Sequence, residues 1–547
     1  MDSARRTFLD EIIENPNDDD ARLIYADWLE EQGDPRGEFI RVQCELAQTD
    51  PLDDEYFDLK DRSNELLDEH EGDWAGELKQ DVRKVEFNRG FIDTLTIKAR
   101  AFIKEADELF RSVPVHWLRF NYLKGQGPAL AQMPALSQIR SLDLHGLKVP
   151  DEDLLALLSS PHLSSLEELA LCLSLSEDAG GMLARSPSAL TLQKLFLGGY
   201  DFPAGFLGQL AKSEYPQLRH LSLSSQYDSE NRFQMVGRLQ LPALDTLHVE
   251  KQLTSAEVDG LCQLALYQLK NLELRNTQMS GQSLARIAEQ GALDVVEKLV
   301  LTGCDIPVSN FESLFYGERL QLCEHLEIPG AVQWQSASEV ESVLAAINAH
   351  YRSTKLKTLE LGRANRVRLN AFAECECLSH LQRFHVHEAS ITVEDAKALR
   401  NCAMMQHVRD VSLEGVSIPL DAMRELCRTE YPSVVSLELS NRYWTPAEVR
   451  EDSIIHLISS GAFPNLRHLS IDSLNLTEAT LNALVEESSF PSLRNLSFCE
   501  NRATQQSARA VLTSDRLPRL KQFDVTDTRG MTNRPKLTKE FDKRINT

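Results

Sequence analysis

The segment LRHLSI at residues 466–471 is followed 27 residues later by LRNLSF at residues 493–498. The same LxxLxL pattern recurs along most of the chain, and the middle apolar residue of each copy marks fifteen positions from Leu142 to Phe523. Successive marks lie 25 to 27 residues apart, except for two longer intervals of 33 and 32 residues. Chance does not hold such a period over fifteen copies, so the sequence predicts a series of structural repeats.

The rest of each repeat favours a helix. An example is TEATLNALVEE from Thr477, and Thr254 with Glu257 has the spacing of a capping box at another helix start. Proline often precedes the next strand, where it stops the helix. Because one strand and one helix cannot bury an apolar face alone, neighbouring repeats must stack. We therefore expect an α/β solenoid of about 16–17 repeats over residues 85–530, with a curved parallel sheet inside and helices outside.

This pattern resembles the leucine-rich-repeat family in its long-repeat, ribonuclease-inhibitor-like form. That family usually places asparagine or cysteine after LxLxx, where the side chain bonds neighbouring backbone in the turn. Asn501 and Cys304 match this preference, whereas Leu147, Val416 and Leu474 occupy the position in other repeats. The resemblance implies the fold, with a partial ladder of such bonds and irregular turns where it is interrupted.

Residues 1–84 do not follow the repeat and carry 26 acidic against 10 basic side chains. Their apolar residues have helical spacing, which predicts a small all-α domain. The segment YADWLEEQGDPRGEFIRVQ, residues 25–43, resembles the repeat-companion domain that precedes repeats in bacterial proteins of planctomycete and myxobacterial type. This implies a bacterial origin and no particular chemistry, and we expect the domain to cap the repeats. Residues 531–547 are expected to be a basic, frayed tail.

Composition narrows the possible partners. The formal net charge of −25 opposes binding to phosphate backbones, so nucleic acid is not expected. No apolar run is long enough to span a membrane, and the first residues lack a secretory apolar core. Ten cysteines without regular pairing predict reduced thiols. Together these features predict a cytoplasmic protein.

Side chains that alternate with the buried strand leucines should point into the concave face. From Glu250 to Glu438 these positions are mostly acidic residues or histidines. A surface that carries one sign of charge attracts a partner of opposite charge. The two long repeats add a tryptophan each, which predicts anchors on loops. The predicted contact residues are Glu250, Glu273, Glu327, Glu360, His385, His387, Glu414, Glu438, Trp334 and Trp444.

Two groups of residues suggest other chemistry. Glu360, His385 and His387 should be neighbours on adjacent strands, an arrangement that could hold zinc or sense pH. Cys375 and Cys377, near His380 and Cys402, also invite a metal site, but their CxC spacing favours buried free thiols. We therefore expect no metal and no cofactor.

No GxGxxG, GxSxG or HExxH motif occurs, which argues against an enzyme. The sequence favours a non-enzymatic protein–protein interaction scaffold whose partner has a basic surface. One alternative is an inhibitor or immunity protein for a basic toxin or nuclease. Another is a regulator resembling GTPase activators or linked to an enzyme, which would need an exposed catalytic arginine or asparagine.

Overall fold

The computed structural model divides the chain into two compact units, residues 1–268 and residues 269–547. It describes all residues except 1–2, 16–17, 76–81, 113–114, 173, 200–202, 226–232, 265, 290, 292, 305, 316–318, 330–331, 334–336, 351–355, 363–368, 374, 389, 416, 442–448, 531–543 and 547.

The first unit begins with four helices. Leu9, Ile12, Tyr25, Leu29 and Ile40 form a buried core between the first three of them, and Phe91 of the following strand pair joins this core. The chain therefore starts with a small all-α segment, as the sequence predicts. These helices are α1 (Ser3–Glu14), α2 (Asp19–Glu31), α3 (Arg36–Gln48) and α4 (Asp54–Trp74).

An antiparallel hairpin of β1 (Val82–Asn88) and β2 (Phe91–Lys98) links these helices to the repeats. At its turn, the Gly90 amide donates to Oε1 of Gln43 at 2.7 Å, and the Gly90 carbonyl accepts from Nε of Arg36 at 3.3 Å. The Arg36 guanidinium lies 5.0 Å from the centroid of the Phe91 ring. Helix α3 therefore packs directly on the first strands. The boundary at residue 84 stays a prediction.

From β2 onward, each strand of the first unit pairs in parallel with the next. Successive helices pack beside one another. The remaining strands are β3 (Trp117–Tyr122), β4 (Ser141–Asp143), β5 (Glu168–Cys172), β6 (Lys194–Gly198), β7 (His220–Ser224) and β8 (Thr246–Glu250). The helices are α5 (Ala99–Ser112), α6 (Gly127–Ala131), α7 (Asp151–Leu158), α8 (Glu177–Arg185), α9 (Ala204–Leu210) and α10 (Ser255–Leu261).

The second unit repeats this arrangement in its own parallel ladder. The ladder strands are β9 (Asn271–Arg275), β10 (Lys298–Thr302), β12 (His325–Ile328), β14 (Thr358–Leu361), β15 (Arg383–His387), β16 (Asp410–Glu414), β17 (Ser436–Ser440), β18 (His468–Ser470), β19 (Asn495–Ser497), β20 (Gln522–Asp524) and β21 (Ile545–Asn546). A separate parallel pair is β11 (Ile306–Pro307) with β13 (Val332–Gln333).

Helices alternate with the strands of this second ladder. These helices are α11 (Gly281–Glu289), α12 (Val308–Glu312), α13 (Ala337–His350), α14 (Asn370–Ala373), α15 (Val393–Asn401), α16 (Met404–His407), α17 (Leu420–Leu426), α18 (Glu451–Ser459), α19 (Glu478–Glu486) and α20 (Gln505–Leu512). Among them, α13 is the longest and lies in the repeat of 33 residues.

The repeat leucines set the strand register. Leu272, Leu299 and Leu326 stand directly opposite one another on β9, β10 and β12, and each is fully buried. The same alignment continues through the ladder, so the leucines form a continuous apolar row that neighbouring repeats bury. The predicted α/β leucine-rich-repeat solenoid is confirmed. The capping box of Thr254 and Glu257 at the start of α10 is also confirmed.

Asn501, at the position after LxLxx, bonds neighbouring backbone as the family resemblance implies. Oδ1 of buried Asn501 accepts hydrogen bonds from the amides of Leu474 and Leu476, and its Nδ2 donates to the carbonyl of Ile471. Thr528, at the same position one repeat later, donates to the carbonyl of Phe498. These side chains thus satisfy the backbone of the turn in the preceding repeat.

The end of the chain differs from the expected frayed tail. Ile545 is buried and pairs with Phe523 of β20, while Arg544 donates to the carbonyls of Leu512 and Leu520. Ile545 and Asn546 thus cover the edge of β20, whereas residues 531–543 of the expected tail lie outside the described residues. In the structure, none of the ten cysteines is joined to another in a disulfide. In the described part of the chain, no helix has the length and apolarity needed to cross a bilayer.

Candidate protein-binding face

The candidate site is the surface formed by alternate side chains of neighbouring strands in the second unit. We call it the charged face, and define it by Glu273, Arg275, Lys298, Glu327, Glu360, His385, His387, Asp410, Glu414 and Glu438. The strand leucines point the opposite way into the core, so alternation leaves these side chains on the other side of the sheet. Nearly all are half-buried, and Glu414 is buried.

Lys298 joins the first two predicted glutamates. Its Nζ lies 3.2 Å from Oε1 of Glu273 and 3.6 Å from Oε1 of Glu327, so the lysine on β10 bridges β9 and β12. Arg275 also contacts Glu273, with Nη2 3.2 Å from Oε2. Burial raises the pKa of Glu273, but Lys298 and Arg275 outweigh it and hold the pKa below its usual value. Glu273 is therefore a fixed carboxylate.

His387 is held between two carboxylates. Its Nε2 lies 3.0 Å from Oε1 of Glu360 on β14, and its Nδ1 lies 3.0 Å from Oε2 of Glu414 on β16. Burial lowers the pKa of His387, but hydrogen bonds and attraction to both carboxylates outweigh it and raise the pKa to about 9. The imidazole is therefore a cation at neutral pH, donating through both ring nitrogens.

His385 forms a second pair across the same strands. Its Nε2 lies 3.0 Å from Oδ2 of Asp410 on β16. Burial lowers the pKa of His385 and raises that of Asp410, yet their mutual contact outweighs burial in both, so the histidine pKa is raised and the aspartate pKa lowered. When His385 is protonated, this pair also places opposite charges on adjacent strands.

Glu438 has a different environment. Oε2 accepts from the Ser412 hydroxyl and Oε1 from the Ser440 hydroxyl, each at 3.1 Å. These two contacts are with neutral hydroxyls, whereas Glu273 and Glu327 contact Lys298.

The charged face carries both positive and negative side chains, whereas the sequence predicted a surface with one sign of charge. Arg275 and Lys298 lie on the same face, and sequence reasoning that selected only acidic, histidine and tryptophan side chains missed them. Their signal was available, because they occupy the last position of β9 and the first of β10, which point the same way as the middle residue. Opposite charges on neighbouring strands stabilise one another and lower the net charge of the surface.

Other predicted contact residues are not part of this cluster. Glu250 is a half-buried residue at the end of β8 in the first unit. Trp334 and Trp444 lie outside the described residues, so their role as anchors stays a prediction.

The two groups considered for metal binding are differently arranged. Glu360, His385 and His387 are neighbours in the register, but both ring nitrogens of His387 face carboxylates. Within the residues that the structure describes, no group of three or more histidine, cysteine or acidic side chains is placed to hold a metal ion. Cys375 and Cys377 contact each other, whereas His380 lies against the ring of His407.

No protein-family model matches the sequence, and no curated protein matches it significantly. Solved structures that resemble the chain include TLR13 in complex with ssRNA13, at 15% identity and a TM-score of 0.46, over 83% of this chain and 65% of that one. Rad7 in complex with Elc1 from yeast aligns at 15% identity and a TM-score of 0.33, over 70% and 90%. An internalin, InlF, from Listeria monocytogenes aligns at 12% identity and a TM-score of 0.28, over 76% and 88%. These similarities concern architecture alone.

Proposed function

We propose that this protein is a non-enzymatic binding protein, and that a partner protein docks on the charged face. The observation that carries this proposal is the series of half-buried ionic contacts on strands β9 to β16, with the Glu438 carboxylate beside them on β17. Stacked repeats create extended surfaces of this kind, which repeat proteins use for binding. Side chains already held in one geometry lose little freedom when a partner arrives, and this favours association.

The charge balance of the face indicates the partner's surface. Its six carboxylates face two permanent cations and the two histidines, so negative charge remains in excess. A partner with basic side chains complements that excess and is steered towards it at low salt. Because the acids alternate with Lys298 and His387, the partner must match a pattern of charges, and high positive charge alone is insufficient. An inhibitor of a basic toxin would be one protein of this class.

The proposal is tested by affinity purification from source-cell lysate with the tagged full chain, at low and high salt. The binding variant carries Glu327→Lys and Glu438→Lys. The matched control carries Glu430→Lys and Glu486→Lys, which change the net charge equally at exposed positions outside the charged face. Circular dichroism and thermal melting establish that both variants remain folded.

A basic protein retained by the native chain and the control, but lost from the binding variant and at high salt, supports the proposal. The same protein retained by the binding variant would remove the charged face from the interaction. If no protein is enriched over a tag-only control under any condition, the binding function itself is wrong.

A further inference from the structure

Two sulfur atoms meet at the start of a short 3₁₀ helix, Glu376–Leu378, that leads from α14 towards β15. The Sγ atoms of Cys375 and Cys377 lie 3.1 Å apart. Both residues are buried, with 7% and 3% of their surface exposed. This contact is shorter than that of two non-bonded sulfurs in ordinary packing, so one thiol donates a hydrogen bond to the other.

Contacts with the preceding helix, α13, hold the pair in place. Sγ of Cys375 lies 3.7 Å from the carbonyl oxygen of Leu344, and the Cys377 amide donates to Oδ1 of Asn348 at 3.2 Å. Other buried thiols contact oxygen. The Cys402 thiol, for example, lies 3.1 Å from the carbonyl of Leu399. Cys402 therefore provides a comparison, because it is as buried as Cys375 but its thiol contacts a carbonyl oxygen.

Of the two cysteines, Cys375 lines a cavity and Cys377 does not. The cavity has a volume of about 420 Å³, and Glu341, Leu344, Asn348 and Asn370 also line it. A cavity of this size accommodates a small molecule. A reagent that enters it therefore reaches Cys375, whose Sγ is in contact with that of Cys377.

The hydrogen bond divides the roles of the two thiols. Donation from Cys377 lowers the pKa of the Cys375 thiol, although burial opposes this effect. The same hydrogen bond, together with burial, raises the pKa of the Cys377 thiol. Because the thiolate is the nucleophile in disulfide exchange, Cys375 is the attacking group and Cys377 the resolving one.

We propose that Cys375 and Cys377 form a reversible thiol–disulfide site that reacts with small disulfides, such as oxidised glutathione, entering from the cavity. The Cys375 thiolate attacks one sulfur of oxidised glutathione, forming a mixed disulfide and releasing one glutathione thiolate. Cys377 then gives up its proton and attacks the Cys375 sulfur, forming the Cys375–Cys377 disulfide and releasing the second glutathione. The two cysteines lose two electrons and two protons, and oxidised glutathione gains them as two glutathione molecules.

The test uses the folded full-length protein and oxidised glutathione, followed by rapid alkylation of free thiols and mass spectrometry. Trypsin releases both cysteines in one peptide, residues 369–383, which holds no other cysteine. In the native protein this peptide should lose two hydrogens and escape alkylation, and a reductant should reverse both changes. In Cys377→Ser, Cys375 should retain one glutathionyl group because the resolving thiol is gone.

Cys402→Ser is the matched control and should leave the oxidation of the 369–383 peptide unchanged. The proposal is wrong if both cysteines of the folded native protein stay alkylatable after exposure to oxidised glutathione. It is also wrong if Cys375→Ser still gains glutathione at Cys377, since the attacking role would then belong to the buried thiol. Reaction only in urea would show that the pair is an inert part of the core.

Discussion

Nε2 of His387 lies 3.0 Å from Oε1 of Glu360, although these two residues are not direct partners in the strand register. Glu360 stands opposite His385, and His387 stands opposite Glu414. His387 thus makes one contact along its own register position and one diagonal contact to the preceding strand. Long side chains can reach such diagonal neighbours, so the network ties three successive repeats together.

This arrangement predicts a pH dependence of stability. The pKa of His387 is raised to about 9 in the folded chain, above the ordinary value of about 6.5. Its contribution is therefore complete below pH 6.5 and is lost as the pH rises through about 9. A shift of that size corresponds to about 3 kcal/mol. In urea denaturation, His387→Gln should have a lower free energy of unfolding than the native chain at pH 6. Most of that difference should disappear at pH 10.

His325 provides the comparison for this experiment. Burial lowers the pKa of His325 below its ordinary value, so the neutral form predominates at pH 7 and above. His325→Gln should change stability by the same amount at pH 7 and pH 10. A native–variant difference for His387 that does not depend on pH would mean that the imidazole is not protonated in the folded protein.

The charged face also illustrates how much the sequence could predict. The repeat period places Glu360 next to His385, because residues at equal positions in successive copies become neighbours in a parallel ladder. It does not determine that His385 turns to Asp410 and leaves Glu360 to His387. That choice depends on side-chain rotamers and on competition between several partners, which a periodic pattern does not encode.

The ends of the ladder were harder to predict than its middle. The terminal strand Ile545–Asn546 carries no leucine repeat, so its pairing with β20 left no periodic signal. In contrast, the role of Asn501 followed from the resemblance to leucine-rich repeats, which usually place asparagine or cysteine at this position. Periodicity identifies the stacked interior, whereas the covering of β20 depends on the strand pairing of Ile545 and Asn546 and on the hydrogen bonds of Arg544.

Asn501 should be among the most sensitive residues of the ladder. Asn501→Ala removes three buried hydrogen bonds and leaves the amides of Leu474 and Leu476 without their side-chain acceptor. Unsatisfied buried groups cost about 1–3 kcal/mol each, so we expect a loss of roughly 3 kcal/mol or more. Urea denaturation followed by circular dichroism would measure it. Asn495→Ala, which removes one hydrogen bond to Gln522 at the surface, should cost less than about 1 kcal/mol.

A buried ion pair in the first unit predicts a second large effect. The side chains of Lys251 and Glu257 are almost fully buried, with Nζ 2.9 Å from Oε1. Burial raises the pKa of Glu257, but the amides of Thr254 and Phe233, together with Lys251, outweigh it and lower the pKa. Glu257→Gln removes the buried carboxylate that contacts the Lys251 ammonium, and breaking such a buried pair should cost about 3–5 kcal/mol in chemical denaturation.

The exposed pair Lys270–Glu297 has a similar separation, 3.0 Å, and serves as its control. Glu297→Gln should cost at most about 1 kcal/mol, because solvent screens surface pairs. Adding Lys251→Met to Glu257→Gln should restore part of the lost stability. Equal costs for the two single variants would mean that the Lys251–Glu257 pair is hydrated in solution.

Gly90 should control the docking of the N-terminal helices on the first hairpin. Its φ is +84°, and an added Cβ would lie 2.2 Å from Cγ1 and 2.7 Å from Cα of Ile40 in α3. Gly90→Ala therefore combines backbone strain with a clash against main chain, and we expect a loss of roughly 2–5 kcal/mol. Hydrogen exchange should accelerate in α2 and α3 while the protection of β5 to β7 is retained.

Gly33 is the control that separates backbone strain from the clash, because its φ is +72° and no atom lies within 4 Å of an added Cβ. Gly33→Ala should show the strain alone, about 1–2 kcal/mol, and similar exchange in both variants would exclude close packing between α3 and the hairpin.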